Sequence, residues 1–154
     1  MKYIKLTQGK VVLVDDEDFE KLNQYKWRLA KRGKTIYAQT RFPNSVQILM
    51  HRFLMNTPQG METDHIDGDG LNNQRNNLRI CTHRENSMNQ RKRQGTSKYK
   101  GVYFRKDRKK WTTRIKVNGR TIHLGNFFEE DKAAMAYNAA AYIYYRNFAK
   151  LNKI

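Results

Sequence analysis

The chain has 154 residues, with 31 Lys and Arg against 14 Asp and Glu, a formal charge of +17. That length suits one ordinary domain or two small ones, and so much positive charge opposes compaction without a polyanion, so a nucleic acid or an anionic surface is the expected partner. A single cysteine, Cys81, excludes an internal disulfide and a Cys-rich zinc site, and no apolar run nears the roughly 20 residues of a membrane span. The short apolar run near the N-terminus ends in acids, which is not a signal-peptide core, and a reduced cytoplasm is the expected compartment. Charge is also uneven: residues 1–90 carry 14 basic and 10 acidic side chains, residues 91–154 carry 17 and 4. The C-terminal part is therefore the stronger polyanion binder, and the N-terminal part is the place to look for chemistry.

Taken in chain order, Val11 to Val14 reads as a buried strand, and Asp15-Asp16-Glu17-Asp18 as the acidic opening of a short helix. Thr35 to Arg41 and Val46 to Leu49 are strands either side of Pro43-Asn44. Met50 to Met55 is a short helix, and Glu62 to Ile66 an extended piece. Asp67-Gly68-Asp69-Gly70 and Asn72 to Asn77 form an ordered, turn-rich loop. The loop is no EF-hand, because the acid at the twelfth position is missing. Leu78 to Cys81 is a second short strand. Thr82-His83-Arg84-Glu85 is a capping box, so a helix starts at Thr82.

A seam follows at 90–98, QRKRQGTSK, which has no aliphatic or aromatic side chain and reads as a basic linker, centred on 91–96. Beyond it, Gly101 to Arg105, Trp111 to Val117 and Arg120 to Leu124 are three strands, and Asn118-Gly119 is a strong hairpin signal. Acids at 129–131 open a long helix, with apolar positions 133, 136, 137, 140, 143, 144 and 148 at helical spacing. Tyr137, Tyr142, Tyr144 and Tyr145 are read as helix packing and Trp111 as core. The economical fold is a three-stranded antiparallel sheet backed by one helix.

Four residues before the seam make a chemical constellation. Asp64 and His65 end one strand, Asn77 opens the next, and Asn86 lies in the first turns of the following helix. Phosphodiester hydrolysis needs a base for water and a cation for the phosphate and the leaving oxygen. The Asp64 carboxylate and Asn86 amide are an oxygen pair suited to Mg²⁺, with positions left for phosphate and water. His65, on the other side of the extended strand, would be the general base. His51 and His83 are read as structural or phosphate-facing, Arg79 and Arg84 as phosphate contacts or surface charges, and Cys81 as strand filler.

This segment resembles the HNH nucleases, in the branch of phage and intron-encoded homing endonucleases. The resemblance runs over His51-Arg52, Asp64 to Asp69, Asn77-Leu78-Arg79, Cys81-Thr82 and Glu85-Asn86, with twelve residues from His65 to Asn77 and nine from Asn77 to Asn86. It implies a ββα-metal motif, about 49–90, with Asp64 and Asn86 as metal ligands and His65 as base. It also implies that Asn77 fixes the loop and orients His65. Asn86 stands where the wider family often has His, which makes a transition-metal site of the colicin kind a poorer expectation than Mg²⁺, with Mn²⁺ as its substitute.

Residues 97–154 resemble the plant ethylene-response-factor (APETALA-like) DNA-binding domain, through Tyr99-Lys100-Gly101-Val102, Arg105, Trp111, Ile115, Leu124-Gly125, Phe127, Ala133-Ala134, Ala136-Tyr137, Ala140-Ala141 and Ala149 to Asn152. Strand alternation independently sets Tyr103, Arg105, Arg114, Lys116, Thr121 and His123 on one outer face. Val102, Phe104, Ile115 and Ile122 then face the helix. Such a face can reach bases and phosphates. Tyr103 and Thr121 replace two arginines of that family, and Arg114 its acidic strand residue, so the plant target sequence does not transfer.

The expectation is thus an α+β chain: an HNH nuclease domain at 1–90, a linker at 91–96 and a DNA-reading domain at 97–154. It is a homing-type endonuclease that uses one divalent metal and nicks one strand of double-stranded DNA. It acts as a monomer or weak dimer, with no membrane or protein partner, in the cytoplasm of a bacterial or phage-infected cell. The alternative is a catalytically silent DNA-binding transcriptional regulator.

Overall fold

In the computed structural model, residues 1–43, 46–90 and 94–154 are described. Asn44, named above between two expected strands, and linker residues 91–93 lie outside them. Two compact units divide the chain, Met1–Asn86 and Ser87–Ile154.

The first unit opens with an antiparallel pair, β1 (Lys2–Lys5) and β2 (Val11–Val14). Helix α1 (Asp16–Asn23) follows, with Asp16, Glu17 and Asp18 in its first turn, where acids complement the helix dipole. Strands β3 (Arg28–Arg32), β4 (Thr35–Arg41) and β5 (Gln47–Leu49) form an antiparallel sheet in that order, and α2 (Met50–Leu54) runs straight on from β5. β6 (Glu62–His65) and β7 (Leu78–Cys81) pair antiparallel, and α3 (His83–Asn89) begins two residues after β7. Ile4, Val12, Val14, Leu22, Trp27 and Met50 are central to one buried cluster. β1 and β3 were not foreseen. KYIK and RLAKR hold few apolar side chains, and only their pairing partners make them strands.

The capping box forms as written. The Thr82 amide donates to Glu85 Oε2 at 2.8 Å, and the Glu85 amide donates to Thr82 Oγ1 at 3.2 Å. Two backbone donors at the start of α3 are satisfied in this way.

In the second unit, β8 (Val102–Arg105), β9 (Lys110–Val117) and β10 (Arg120–Phe127) form an antiparallel sheet with β9 central. Helix α4 (Glu130–Tyr145) packs on it. β10 runs three residues past the expected end at Leu124, with a bulge between His123 and Gly125. The face of α4 also needs correction. Ala133, Ala134, Tyr137, Ala140, Ala141 and Tyr145 are buried, while Tyr142, Ile143 and Tyr144 are exposed. Both stripes keep helical spacing, but the buried one is turned about the helix axis so that Ala141 and Tyr145, not Ile143 and Tyr144, face the sheet. Tyr145 belongs inside because its hydroxyl donates to the Lys116 carbonyl at 2.7 Å. Gly101 precedes β8 at φ 77°, in the left-handed region, and is not part of the strand.

Candidate active site

The β6–β7 hairpin has two faces. Its register sets Glu62 opposite Cys81 and Asp64 opposite Arg79, and strand alternation puts Thr63 and His65 on the other side. Asp64 is buried, and Arg79 donates to its Oδ2 through Nε at 2.9 Å and Nη2 at 2.6 Å. A buried carboxylate needs such a partner. Any cation bound by Asp64 shares it with a guanidinium.

Helix α3 brings Asn86 to the same face. Its Nδ2 donates to Glu62 Oε2 at 2.6 Å, while His83 Nδ1 lies 2.7 Å from Glu62 Oε1. Despite partial desolvation, the Glu62 carboxyl is held below its ordinary value by its hydrogen bonds to Asn86 and His83. Glu62 was missed above. The signal was present, because a residue two before Asp64 in a strand shares its face.

His65 ends β6 on the opposite face, 5% exposed. Its ring lies edge-on to His51, with centroids 4.8 Å apart, and 5.8 Å from the ring of Tyr37. Burial pushes the imidazole below its ordinary value, against the opposing pull of Asp67 and Asp64, so it is neutral at pH 7. A neutral imidazole is the form that accepts a proton. The loop after β6 crosses this cluster closely. A Cβ on Gly70 would sit 2.3 Å from the Ile36 carbonyl and 2.7 Å from the Tyr37 ring, so only glycine lets the loop approach β4.

Asn77 ties that loop down. Its Oδ1 accepts from the Asp67 amide at 3.1 Å, and its Nδ2 donates to Asp67 Oδ1 at 3.0 Å and to the Asn72 carbonyl at 2.9 Å. The Ile66 amide donates to the Asn77 carbonyl at 2.9 Å, directly after His65. The N-terminal elements hold the loop from outside. Asp18 accepts from Arg75 Nε and Nη2 at 2.7 Å, Asp15 from the Arg75 amide at 2.8 Å, and the Asn73 amide donates to the Leu13 carbonyl at 2.8 Å. Leu13, Asp15 and Asp18 therefore brace the loop between β6 and β7.

What Asp64 and Asn86 offer a cation is oxygen, carboxylate and amide, which suits a hard divalent ion. Among the described residues no three His, Cys, Asp or Glu side chains gather as a metal cluster. The donors fit the ion expected above.

The match to known proteins falls on these elements. The model of the HNH endonuclease family matches residues 56–88, from just after α2 into α3. An uncharacterized HNH endonuclease of Acanthamoeba polyphaga mimivirus is 31% identical over 156 residues, covering 96% of this chain and 77% of its own length. The chain belongs to the HNH endonuclease family. A second relative of this HNH protein, Protein 3.8 of Escherichia phage T7, is 38% identical over 64 residues, 41% of this chain and 53% of its own. The HNH chain thus spans about half of that phage protein. No solved structure matches it. Among the described residues, no helix of this HNH protein is long and apolar enough to cross a membrane.

In the second unit the register places Tyr103, Arg105, Arg114, Lys116, Thr121 and His123 on one face of the sheet. Arg114 lies over the Tyr103 ring, 4.8 Å from its centroid, while Arg105 grips Asp107 through Nε at 3.0 Å and through Nη2. The bulge in β10 adds Asn126 to this face, opposite Thr112, whose Oγ1 donates to Asn126 Oδ1 at 2.7 Å. Plain alternation from Thr121 would have sent Asn126 inward.

Proposed function

We propose that this chain is a homing-type endonuclease that nicks double-stranded DNA as a monomer, using a single divalent ion, Mg²⁺ or Mn²⁺ in its place. The observation that carries the reading is Asn86 of α3 lying on the Asp64 face of the β6–β7 hairpin, inside the segment matched to the HNH family. That arrangement is read here as a ββα-metal motif. Asp64 and Asn86 would hold the ion, which when bound would neutralise charge on the scissile phosphate and the departing 3′ oxygen. His65 accepts the proton of the attacking water on a ring nitrogen, and Asn77 fixes the loop that sets His65 in place. Arg79, beside Asp64, adds positive charge where the phosphate docks.

Residues 1–90 are assigned the cutting, and residues 97–154, joined by the basic linker 91–96, the choice of target. The second part is read as an ethylene-response-factor-like domain that binds DNA through the outer face of β8, β9 and β10. Holding a weakly specific cutter near one site raises its local concentration there. The viral and phage relatives accord with an enzyme acting in the cytoplasm of an infected cell.

The test is plasmid and phage DNA incubated with the wild type and with His65→Ala, with Mg²⁺ and with EDTA. Conversion of supercoiled DNA to open circles by the wild type with metal alone is the expected result. Linear product would replace nicking by double-strand cleavage. Tight binding by both proteins with no cutting of any DNA would instead make the chain a DNA-binding regulator.

A further inference from the structure

An asparagine amide presents two unlike ends, a carbonyl oxygen that can bind a cation and an NH₂ that repels one. Which end faces a metal position depends on what holds the other. Asn86 donates through Nδ2 to Glu62 Oε2 at 2.6 Å, so its NH₂ end is engaged and Oδ1 is turned away from the carboxylate. Glu62 is itself fixed, because His83 Nδ1 takes its other oxygen at 2.7 Å. β6 and α3 are thus joined by a chain of three side chains, His83, Glu62 and Asn86.

We propose that Glu62 is a positioning residue for the metal site: it holds the Asn86 amide so that Oδ1, not the NH₂, is offered to a divalent cation. The inference rests on the assignment of Asp64 and Asn86 as the ligands. Without Glu62 the amide is free to turn over about its last side-chain bond and present the repelling end. Partners of this kind behind metal ligands typically matter by 10–100-fold in affinity. Glu62 acts through an acceptor oxygen, and glutamine keeps one. A charge effect of Glu62 on the ion would need the carboxylate.

Titration calorimetry of the full chain with Mn²⁺, without DNA, separates these cases, and circular dichroism and melting curves check that each variant folds. Glu62→Ala is expected to weaken Mn²⁺ binding by about 10- to 100-fold, and Glu62→Gln to stay close to the wild type. In the ¹⁵N spectrum the Asn86 side-chain NH₂ signals should shift in Glu62→Ala and hold in Glu62→Gln. Equal losses in both variants would make the negative charge of Glu62 what matters and overturn the positioning role. If Asp64→Ala and Asn86→Ala weaken Mn²⁺ binding but Glu62→Ala does not, the inference fails and the metal site stands. If neither ligand variant weakens it, the metal site itself is wrong and the role of Glu62 falls with it.

Discussion

His51 shows how far a side chain can be driven from its solution behaviour by its neighbours. It is buried beside His65 and Tyr37, and among the described residues its Nδ1 has no hydrogen-bond partner. Burial, with smaller contributions from His65, Arg52 and Arg32, pushes it from 6.5 to about 3. Its folded value lies below its unfolded one, so the unfolded chain binds the extra proton as pH falls. The stabilisation is complete above pH 6.5 and is lost as the pH drops towards 3. Between these limits such a group costs about 1.4 kcal/mol of stability per pH unit. His51→Phe keeps a ring in place and removes the titration. Urea midpoints measured from neutral pH down to pH 5 should fall less steeply in the variant than in the wild type. Some slope will remain, because His65 is shifted in the same direction. An unchanged slope would place the acid sensitivity elsewhere. The presence of His51 was legible in the sequence, but its burial against His65 was not. The contact depends on α2 meeting the end of β6, which no local pattern encodes.

At the scale of elements, legibility followed local signals. The capping box of α3, the acidic opening of α1 and the turn at Asn118-Gly119 are short-range chemistry, and each marks an element boundary in the fold. The pairing of Asp64 with Arg79 was beyond reach, because the long loop between β6 and β7 leaves the register open. The bulge in β10 likewise hid Asn126 behind a two-residue period. Gly101 marks a contact between elements that the sequence only hinted at. A Cβ there would lie 2.1 Å from Tyr137 Cδ2 and 2.9 Å from the Arg114 carbonyl, with φ at 77°. Gly101→Ala must therefore push α4 off the sheet and also adopt a left-handed backbone. The combined cost is roughly 2–5 kcal/mol. Thermal unfolding should show a marked drop in the stability of residues 87–154. A melting point matching the wild type would mean that Tyr137 can swing aside freely.

Across the whole molecule, charge is the dominant physical fact, +17 in all and concentrated after residue 90. Binding to duplex DNA should weaken steeply as salt rises from about 50 to about 200 mM, by counterion release. Arg114→Ala and Lys116→Ala should each lower the salt slope by roughly one if the side chain meets a phosphate. Arg105→Ala should change it less, since Asp107 already neutralises that guanidinium. Slopes that none of the three alters would take this face out of the interface. The division of the chain carries a further consequence. It falls after Asn86, inside α3, and Met88 packs on the hydrophobic cluster of the second unit while Lys100 Nζ donates to the Met88 carbonyl at 2.6 Å. A gene fusion cut at the basic run would leave the second unit without Met88, which packs on its own hydrophobic cluster. Modules traded between such enzymes by recombination would travel intact only if the crossover lay upstream of Ser87.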